Sequence, residues 1–453
     1  MLNILRPGSQ LLIFFCFLCF TFSIFSTESI CEGHVLTSET TLLAPEPLLP
    51  SHNKKIYREV PSTPNPLLTQ KGSTADKPIA VYLTWQHSPL TTITIQWISA
   101  LESVEDAVEY QKSGARAWQK AAAAHFTFPE GFPGLIHRVE IKDLNPDTEY
   151  RFRIGKQEKI YKFKTLPQKL NKPLKFVVGG DIYHDTVEPI RETNLLAANT
   201  NPDFALLGGD LAYTAEDENE RPENADRWIT WLITWTETMI TSDGRLIPMI
   251  TAIGNHDTLG RYGQTPKQAE FYYALFPTPG DREYRTVDFG KYLSIFVLDS
   301  GHTHPIPGEQ TVWLENELKT RKEMMHRFAL YHVGAYPSVR QMDSKMSPII
   351  RDHWVPLFEK YNLHAGFEHH DHAYKRSVRI KGNQADPTGV LYMGDGAWGV
   401  SDPRHPKVQK EQWFLAKTAA ERHFILVTIE KGKRKFEAIN SKGEKFDSYE
   451  IKD

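Results

Sequence analysis

Leu206-Leu-Gly-Gly-Asp-Leu-Ala-Tyr213 is the stretch whose reading decides the fold. A short apolar run closed by glycines reads as a fully buried strand. The glycines let the chain turn sharply at the strand end. Asp210 is then left at the rim of a sheet, with Tyr213 three residues on. One Gly-Gly-Asp of this kind is usually a turn, but this chain repeats the arrangement. The expected strand Leu174–Val178 runs into Gly179-Gly180-Asp181, and Met249–Ile253 runs into Gly254-Asn255-His256-Asp257. Arg327–Tyr331 ends at His332, and Leu363–Phe367 continues into Glu368-His369-His370-Asp371-His372. Further strands are expected over Phe204–Leu207, Leu293–Leu298 and Val390–Met393.

Helical periodicity lies between these strands. Glu223–Ile240 places Trp228, Trp231, Leu232, Trp235 and Met239 on one face, which reads as burial against a sheet. Glu309–His326 reads as a second helix with Val312, Leu314 and Leu318 apolar. Strands alternating with helices indicate an α/β domain with a largely parallel or mixed sheet. Open sheets of that class place their ligand sites beyond the carboxyl ends of the strands. Two aspartates, a tyrosine, an asparagine and several histidines are thereby directed into one crevice. Carboxylates facing one another repel unless cations separate them, and mixed oxygen and imidazole donors suit iron, zinc or manganese. The donors outnumber what one ion takes from a protein, so two ions sharing a bridging carboxylate fit better.

The motif order GD, GDxxY, GNHD, xxxH and HxH resembles the purple acid phosphatases, within the calcineurin-like metallophosphoesterases. Gly308-Glu-Gln-Thr-Val-Trp-Leu314 and Leu391-Tyr-Met-Gly-Asp-Gly396 are similar to landmarks of the same family. The resemblance implies Asp181, Tyr213 and His372 as ligands of a ferric ion. It implies Asn255, His332 and His370 as ligands of a divalent ion (iron, zinc or manganese), with Asp210 bridging. It implies that Asn255 and His256 contact the substrate, and that His256, not a ligand, protonates the leaving oxygen. Asp210 and His256 are then the catalytic pair of a phosphate monoester hydrolase in which a metal-activated hydroxide attacks. Gly301-His302-Thr303-His304 also spells GHxH, but only His370-Asp371-His372 is followed by Ala-Tyr-x-Arg (Ala373 to Arg376) as in the family. Two positions depart from the family pattern: Tyr183 and His369 stand where glycine is usual, and both are expected to reshape the pocket. The phosphate-contacting histidines that many plant-type members carry after His332 are missing. Tyr336, Arg340 and His184 are the candidate replacements.

Upstream of the metal motifs, residues 78–168 carry short β-type runs: VYLTW, TITIQW, AVEYQ, HRVEI and YRFRI. Leu144–Gly155 (LNPDTEYRFRIG) resembles the late-strand signature of fibronectin type III domains. The fold expected is an N-terminal fibronectin-III-like β-sandwich followed by a metallophosphoesterase domain (173–430) with mixed β-sheets flanked by helices. Residues 424–451 read as three closing strands with turns at Lys431-Gly432 and Lys442-Gly443. Residues 30–77 hold scattered prolines and read as a linker. Ahead of them, Arg6 and the apolar run Leu11–Phe25 read as a signal peptide over 1–29. Cys16 and Cys19 lie inside that segment, so a processed chain keeps only Cys31 and forms no internal disulfide.

The chain has 453 residues and a formal net charge of -3, which speaks against a nucleic-acid binder. The expected protein is exported, whether periplasmic, envelope-bound or secreted, and acts on a small phosphorylated substrate. It touches a membrane only if the apolar segment stays uncleaved. Two rivals are a phosphodiesterase or nucleotidase on the same site, and a non-catalytic envelope protein on a relic fold.

Overall fold

Period-two alternation shapes the first folded part of the chain. In Glu149–Ile154 (EYRFRI), Tyr150, Phe152 and Ile154 are buried while Glu149, Arg151 and Arg153 stay half-exposed. The computed structural model describes residues 77–101, 106–129, 133–215, 223–280, 282–406 and 410–453. All of them belong to one unit, Ser62–Asp453. The signal peptide expected over 1–29 and the linker expected over 30–77 lie outside the described residues, Lys77 excepted.

Eight strands form the sandwich: β1 (Ala80–Thr84), β2 (Ile93–Ala100), β3 (Ala107–Lys112), β4 (Gln119–Ala122), β5 (Ala124–Thr127), β6 (Gly134–Ile141), β7 (Glu149–Ile154) and β8 (Tyr161–Lys164). They pair as two antiparallel sheets, β1-β2-β6-β5 and β4-β3-β7-β8. Tyr150 Oη accepts a hydrogen bond from Asn145 N at 2.9 Å, fixing the corner ahead of β7. Strands β4 and β5 are mostly exposed and carry little apolar alternation, so the sequence does not announce them.

The second domain contains two mixed sheets. One runs β11 (Met249–Ala252), β10 (Phe204–Gly208), β9 (Leu174–Gly179), β21 (His423–Glu430), β22 (Lys433–Asn440) and β23 (Lys445–Lys452) in spatial order. Its first three strands are parallel, and the closing strands join antiparallel. The other runs β12 (Arg285–Phe289), β13 (Leu293–Val297), β14 (His326–Val333), β15 (Ala365–His369), β19 (Leu391–Gly394), β16 (Tyr374–Ser377) and β20 (Leu415–Ala419). Of these, β13, β14, β15 and β19 are parallel. A two-stranded hairpin, β17 (Ile380–Lys381) with β18 (Gln384–Ala385), stands apart. The two large sheets share one core, where Phe176 packs on Phe328 and Phe367 with ring centroids 5.9 and 6.4 Å away.

Helices cover the outer faces. Val187–Asn199 and Ala225–Thr238 pack on the first sheet, and Glu309–Thr320, Ser347–His353 and Val355–Lys360 on the second. The tryptophan stripe is buried as expected: Trp228 and Trp231 are fully covered. The helix expected over Glu309–His326 stops at Thr320, and His326 opens strand β14 instead. Val312 faces solvent at 61% exposure, so the buried face of that helix is Gln310, Leu314 and Leu318. Val187–Asn199 escaped the sequence reading because its inner face is partly polar. Asn194 Nδ2 donates to Thr238 Oγ1 at 2.9 Å, and Asn194 Oδ1 accepts from Trp398 Nε1 at 2.8 Å.

Candidate metal centre

The carboxyl ends of β9, β10 and β11 in one sheet meet those of β14 and β15 in the other. Each of these strands leads into a turn that the sequence bends abruptly. Five candidate donors have left-handed backbones: Asp181 (φ 55°), Asp210 (φ 53°), Tyr213 (φ 51°), His370 (φ 81°) and His372 (φ 59°). Such conformations cost about 1–3 kcal/mol each for residues other than glycine, and they concentrate where geometry serves a ligand. Glycine is required where backbones approach most closely. A Cβ on Gly254 would lie 2.2 Å from Asp210 Oδ1, and one on Gly396 would lie 1.7 Å from Asp181 Oδ2.

The candidate donors converge. Tyr213 Oη donates to Asp181 Oδ1 at 2.8 Å and lies 3.0 Å from His372 Nε2. His372 Nε2 is itself 2.8 Å from Asp181 Oδ1. Beside this group, His332 Nε2 lies 3.2 Å from Asp210 Oδ2, 3.1 Å from Asn255 Oδ1 and 3.1 Å from His370 Nδ1. Asp181 Oδ2 accepts from His370 N at 2.9 Å, tying the two groups together. All seven expected ligands therefore sit in one buried cluster.

The donor set fits cations. Asp181 and Asp210 are both fully buried, and their partners are imidazoles, a phenol and backbone N–H groups. Among the described residues Asp210 Oδ2 accepts no hydrogen bond, although His332 Nε2 lies 3.2 Å away. Burial pushes the Asp210 carboxyl up, but His332 and His256 more than offset this and hold it well below the usual carboxylate range. Burial acts to lower His332, yet Asp210 and Asp181 drive it up to about 9. Buried carboxylates that pull this strongly on an imidazole call for positive charge between them. Asp210, His332 and His370 also satisfy the spacing of a metal-holding triad. A separate donor set, Asp106, His125 and His137, lies in the sandwich; there Asp106 bonds His125 Nδ1 at 2.8 Å and His137 Nδ1 at 2.7 Å.

His256 stands at the mouth of the cluster. Its backbone N donates to Asp210 Oδ1 at 2.7 Å, and its ring stacks on Tyr213 with centroids 4.6 Å apart. Nδ1 faces Ala215 O at 3.2 Å. Asn255 and His256 line a cavity of about 250 Å³ together with Tyr262, Arg340, Lys345 and His370.

Two aspartates that the sequence reading left without a role are the organisers here. Asp257 accepts from Leu211 N and Gly254 N, both at 2.9 Å, and so binds the second and third strand-end turns together. Asp371 accepts from Ser338 N and Val339 N, both at 2.7 Å, and its other oxygen bonds Arg340 Nη1 at 2.7 Å. Arg340 Nη1 also donates to His370 O at 2.5 Å.

The two departures from the family pattern do not reshape the cavity. Tyr183 turns into the core under the Arg227 guanidinium, 4.0 Å from its ring centroid. His369 fills the space over Gly180 and Gly208 on the core side; a Cβ on Gly208 would lie 1.8 Å from its ring. Of the candidates for the missing phosphate contacts, Arg340 lines the cavity and Tyr336 does not. Tyr336 is buried against Tyr392 and Phe414. His184 packs edge-on against Tyr213 and His372, with centroids 4.9 and 4.7 Å away. His302 packs edge-on against His332 with centroids 5.6 Å apart, but both of its ring nitrogens are engaged elsewhere, with Arg261 O 2.9 Å from Nδ1 and Ser300 Oγ 3.0 Å from Nε2.

Comparison with known proteins decides the family. The model of the purple acid phosphatase N-terminal domain matches residues 78–165, and that of the calcineurin-like phosphoesterases matches residues 157–380. This chain belongs to the purple acid phosphatase family. Purple acid phosphatase 22 of Arabidopsis thaliana is 26% identical over 318 residues, 67% of this chain and 68% of that protein. The Fe(3+)-Zn(2+) purple acid phosphatase 12 of the same plant is 25% identical over 347 residues, 71% of this chain and 67% of that protein. The structure of a purple acid phosphatase from yellow lupin (Lupinus luteus) seeds superposes with a TM-score of 0.68 at 20% identity, covering 83% of this chain and 74% of that one. At that identity the likeness establishes the purple acid phosphatase fold, a sandwich followed by a phosphoesterase domain.

Proposed function

We propose that this purple acid phosphatase is exported and hydrolyses phosphate monoesters. One observation carries the reading: Asp181, Tyr213 and His372 gather beside Asp210, Asn255, His332 and His370, although these residues span positions 181 to 372. The first three would hold a ferric ion and the last three a divalent ion of iron, zinc or manganese, with Asp210 between them. The metals named for the Arabidopsis Fe(3+)-Zn(2+) relative support that pairing. When bound, the two cations supply charge that polarises phosphate oxygens and water.

The chain's own residues do the rest. Asn255 and His256 face the cavity and bind the phosphate there. Ala215 O and Asp210 fix the orientation of His256, so its ring presents one defined nitrogen to the leaving oxygen. The cationic lining favours a monoester dianion over a diester with a single charge. Rates on matched mono- and diesters test this. A clear preference for the monoester is expected, and a preference for the diester would make the protein a phosphodiesterase. Export rests on Arg6 and the Leu11–Phe25 run. Sequencing the native N-terminus is expected to read a start near Ser29, and an intact Met1 would contradict cleavage.

A further inference from the structure

Asp106, His125 and His137 form a donor set in the sandwich that the strand-end cluster does not use. His125 of β5 stands directly opposite His137 of β6 in the antiparallel register, so both rings leave the same face of that sheet. Asp106 lies one residue ahead of β3, which belongs to the other sheet, and its carbonyl accepts from Ala123 N at 2.8 Å. Ala123 joins β4 to β5, where the chain passes from one sheet to the other. The Asp106 carboxylate reaches across to both rings. Its Oδ2 lies 2.8 Å from His125 Nδ1 and its Oδ1 lies 2.7 Å from His137 Nδ1.

The far nitrogen of His137 constrains its near one. The Ser99 hydroxyl donates its one hydrogen to Ala100 O at 3.0 Å, so His137 Nε2 is the donor in its 2.7 Å contact with Ser99 Oγ. Nδ1 is then left with either a lone pair or a second proton. A second proton would charge a ring that is fully buried and stacked flat on Trp97, with centroids 4.7 Å apart. Burial pushes the pKa of His137 down, and Asp106 opposes that only in part. A lone pair that faces a carboxylate oxygen at 2.7 Å repels it unless a cation lies between them. The strand-end cluster shows the same approach of carboxylate to imidazole, with Asp181 and His372 at 2.8 Å and Asp210 and His332 at 3.2 Å.

The strands around the donors give an independent reason. All four residues of β5 are exposed, and none of β4 is buried. Apolar packing therefore does little for this edge of the sandwich, and a bound ion would add its binding free energy to the fold. Two imidazoles and a carboxylate are donors that zinc takes. The His125 side chain is 52% exposed, which leaves one side of the set open for a water as fourth ligand.

We propose that Asp106, His125 and His137 bind a divalent transition-metal ion of the zinc type, which pins β5 and β6 of one sandwich sheet to the start of β3 in the other. The site supports the fold and does not depend on the phosphatase reading. Three protein donors and an open side let the ion exchange, so protein purified without added zinc carries only the ions of the strand-end cluster.

The test adds zinc to the purified full chain. Zinc uptake by calorimetry and the melting temperature are followed for the parent, His125→Ala and Asp106→Asn. His125 is exposed, so its truncation does not threaten folding, and Asp106→Asn keeps the shape while removing the charge. The parent is expected to take up one zinc ion per chain more than either variant. Its melting temperature is expected to rise further with zinc than theirs, because the ion binds the folded chain. Equal uptake by the parent and His125→Ala would show a hydrogen-bonded cluster only and overturn the site. Extra uptake by the parent with an equal melting-temperature rise in all three proteins would overturn the pinning role.

Discussion

Asp181, Asp210, Tyr213, His370 and His372 hold backbone conformations that the free chain avoids, and in doing so bring their side chains to one point. These residues were legible in the sequence because each follows an apolar run and a sharp turn. The wall opposite was not legible. Arg261, Tyr262 and Lys345 come from loops without periodicity, and only the folded chain brings them beside His370. Tyr183 and His369 show the converse: each broke the family pattern next to a ligand, yet both side chains turned into the core. Flanking a ligand in sequence does not place a side chain in the cavity: His369 ends strand β15, where neighbours point to opposite faces, and Tyr183 lies in the turn after Asp181 that sends it into the core. His256 carries the prediction at this scale. A group placed to transfer a proton contributes about 10²–10⁴-fold in rate. His256→Ala should lower kcat by that order while elemental analysis still finds both metals. Loss of the metals instead would make His256 a support of the donor cluster.

At the scale of elements, strand existence was readable and several boundaries were not. The helical pattern that starts at Glu309 outruns the helix itself, because charged residues continue past Thr320, where the chain turns toward β14. Helix Val187–Asn199 was missed because Asn194 and Thr193 are buried polar residues that hide the apolar stripe. The short helix Glu270–Leu275 and strand β12 enclose a feature with a testable consequence. Glu283 is fully buried; Tyr272 Oη donates to its Oε1 at 2.5 Å, while Oε2 has no hydrogen-bond partner among the described residues. Burial pushes the Glu283 carboxyl up to about 8, with Arg285 offsetting only part of it. A carboxyl raised in the folded state gives stability that is present below its unfolded value, near 4.5, and lost as pH rises toward 8. Glu283→Gln removes the ionisable group and keeps the shape. Its melting temperature should match that of the parent near pH 4.5 and exceed it by pH 8. An unchanged difference across that range would show that Glu283 is ionised and stabilised by Arg285.

Across the whole molecule the sandwich and the phosphoesterase domain are fastened together. Thr236 Oγ1 accepts from Val81 N at 2.9 Å, and so covers the open edge of β1 with the Ala225–Thr238 helix. Tyr82 Oη donates to Leu275 O at 3.0 Å, and one apolar cluster runs from Val81 and Trp97 through Phe176 and Phe367 to Phe436. The order of the domains could be read from the sequence, because β-type runs give way to alternating strands and helices after Lys172. Their fastening could not, since it rests on contacts between residues more than a hundred positions apart, such as the Val81 backbone and the Thr236 hydroxyl. The second domain in turn packs two sheets face to face so that β9, β10 and β11 lie against β14 and β15. The central claim is that this meeting of strand ends holds two cations, one of them on Tyr213. Its most direct test is the visible absorption spectrum of the purified protein with its metals counted. The account predicts two metal ions per chain and a violet phenolate-to-iron band that disappears in Tyr213→Phe. A colourless protein holding one ion or none would contradict it.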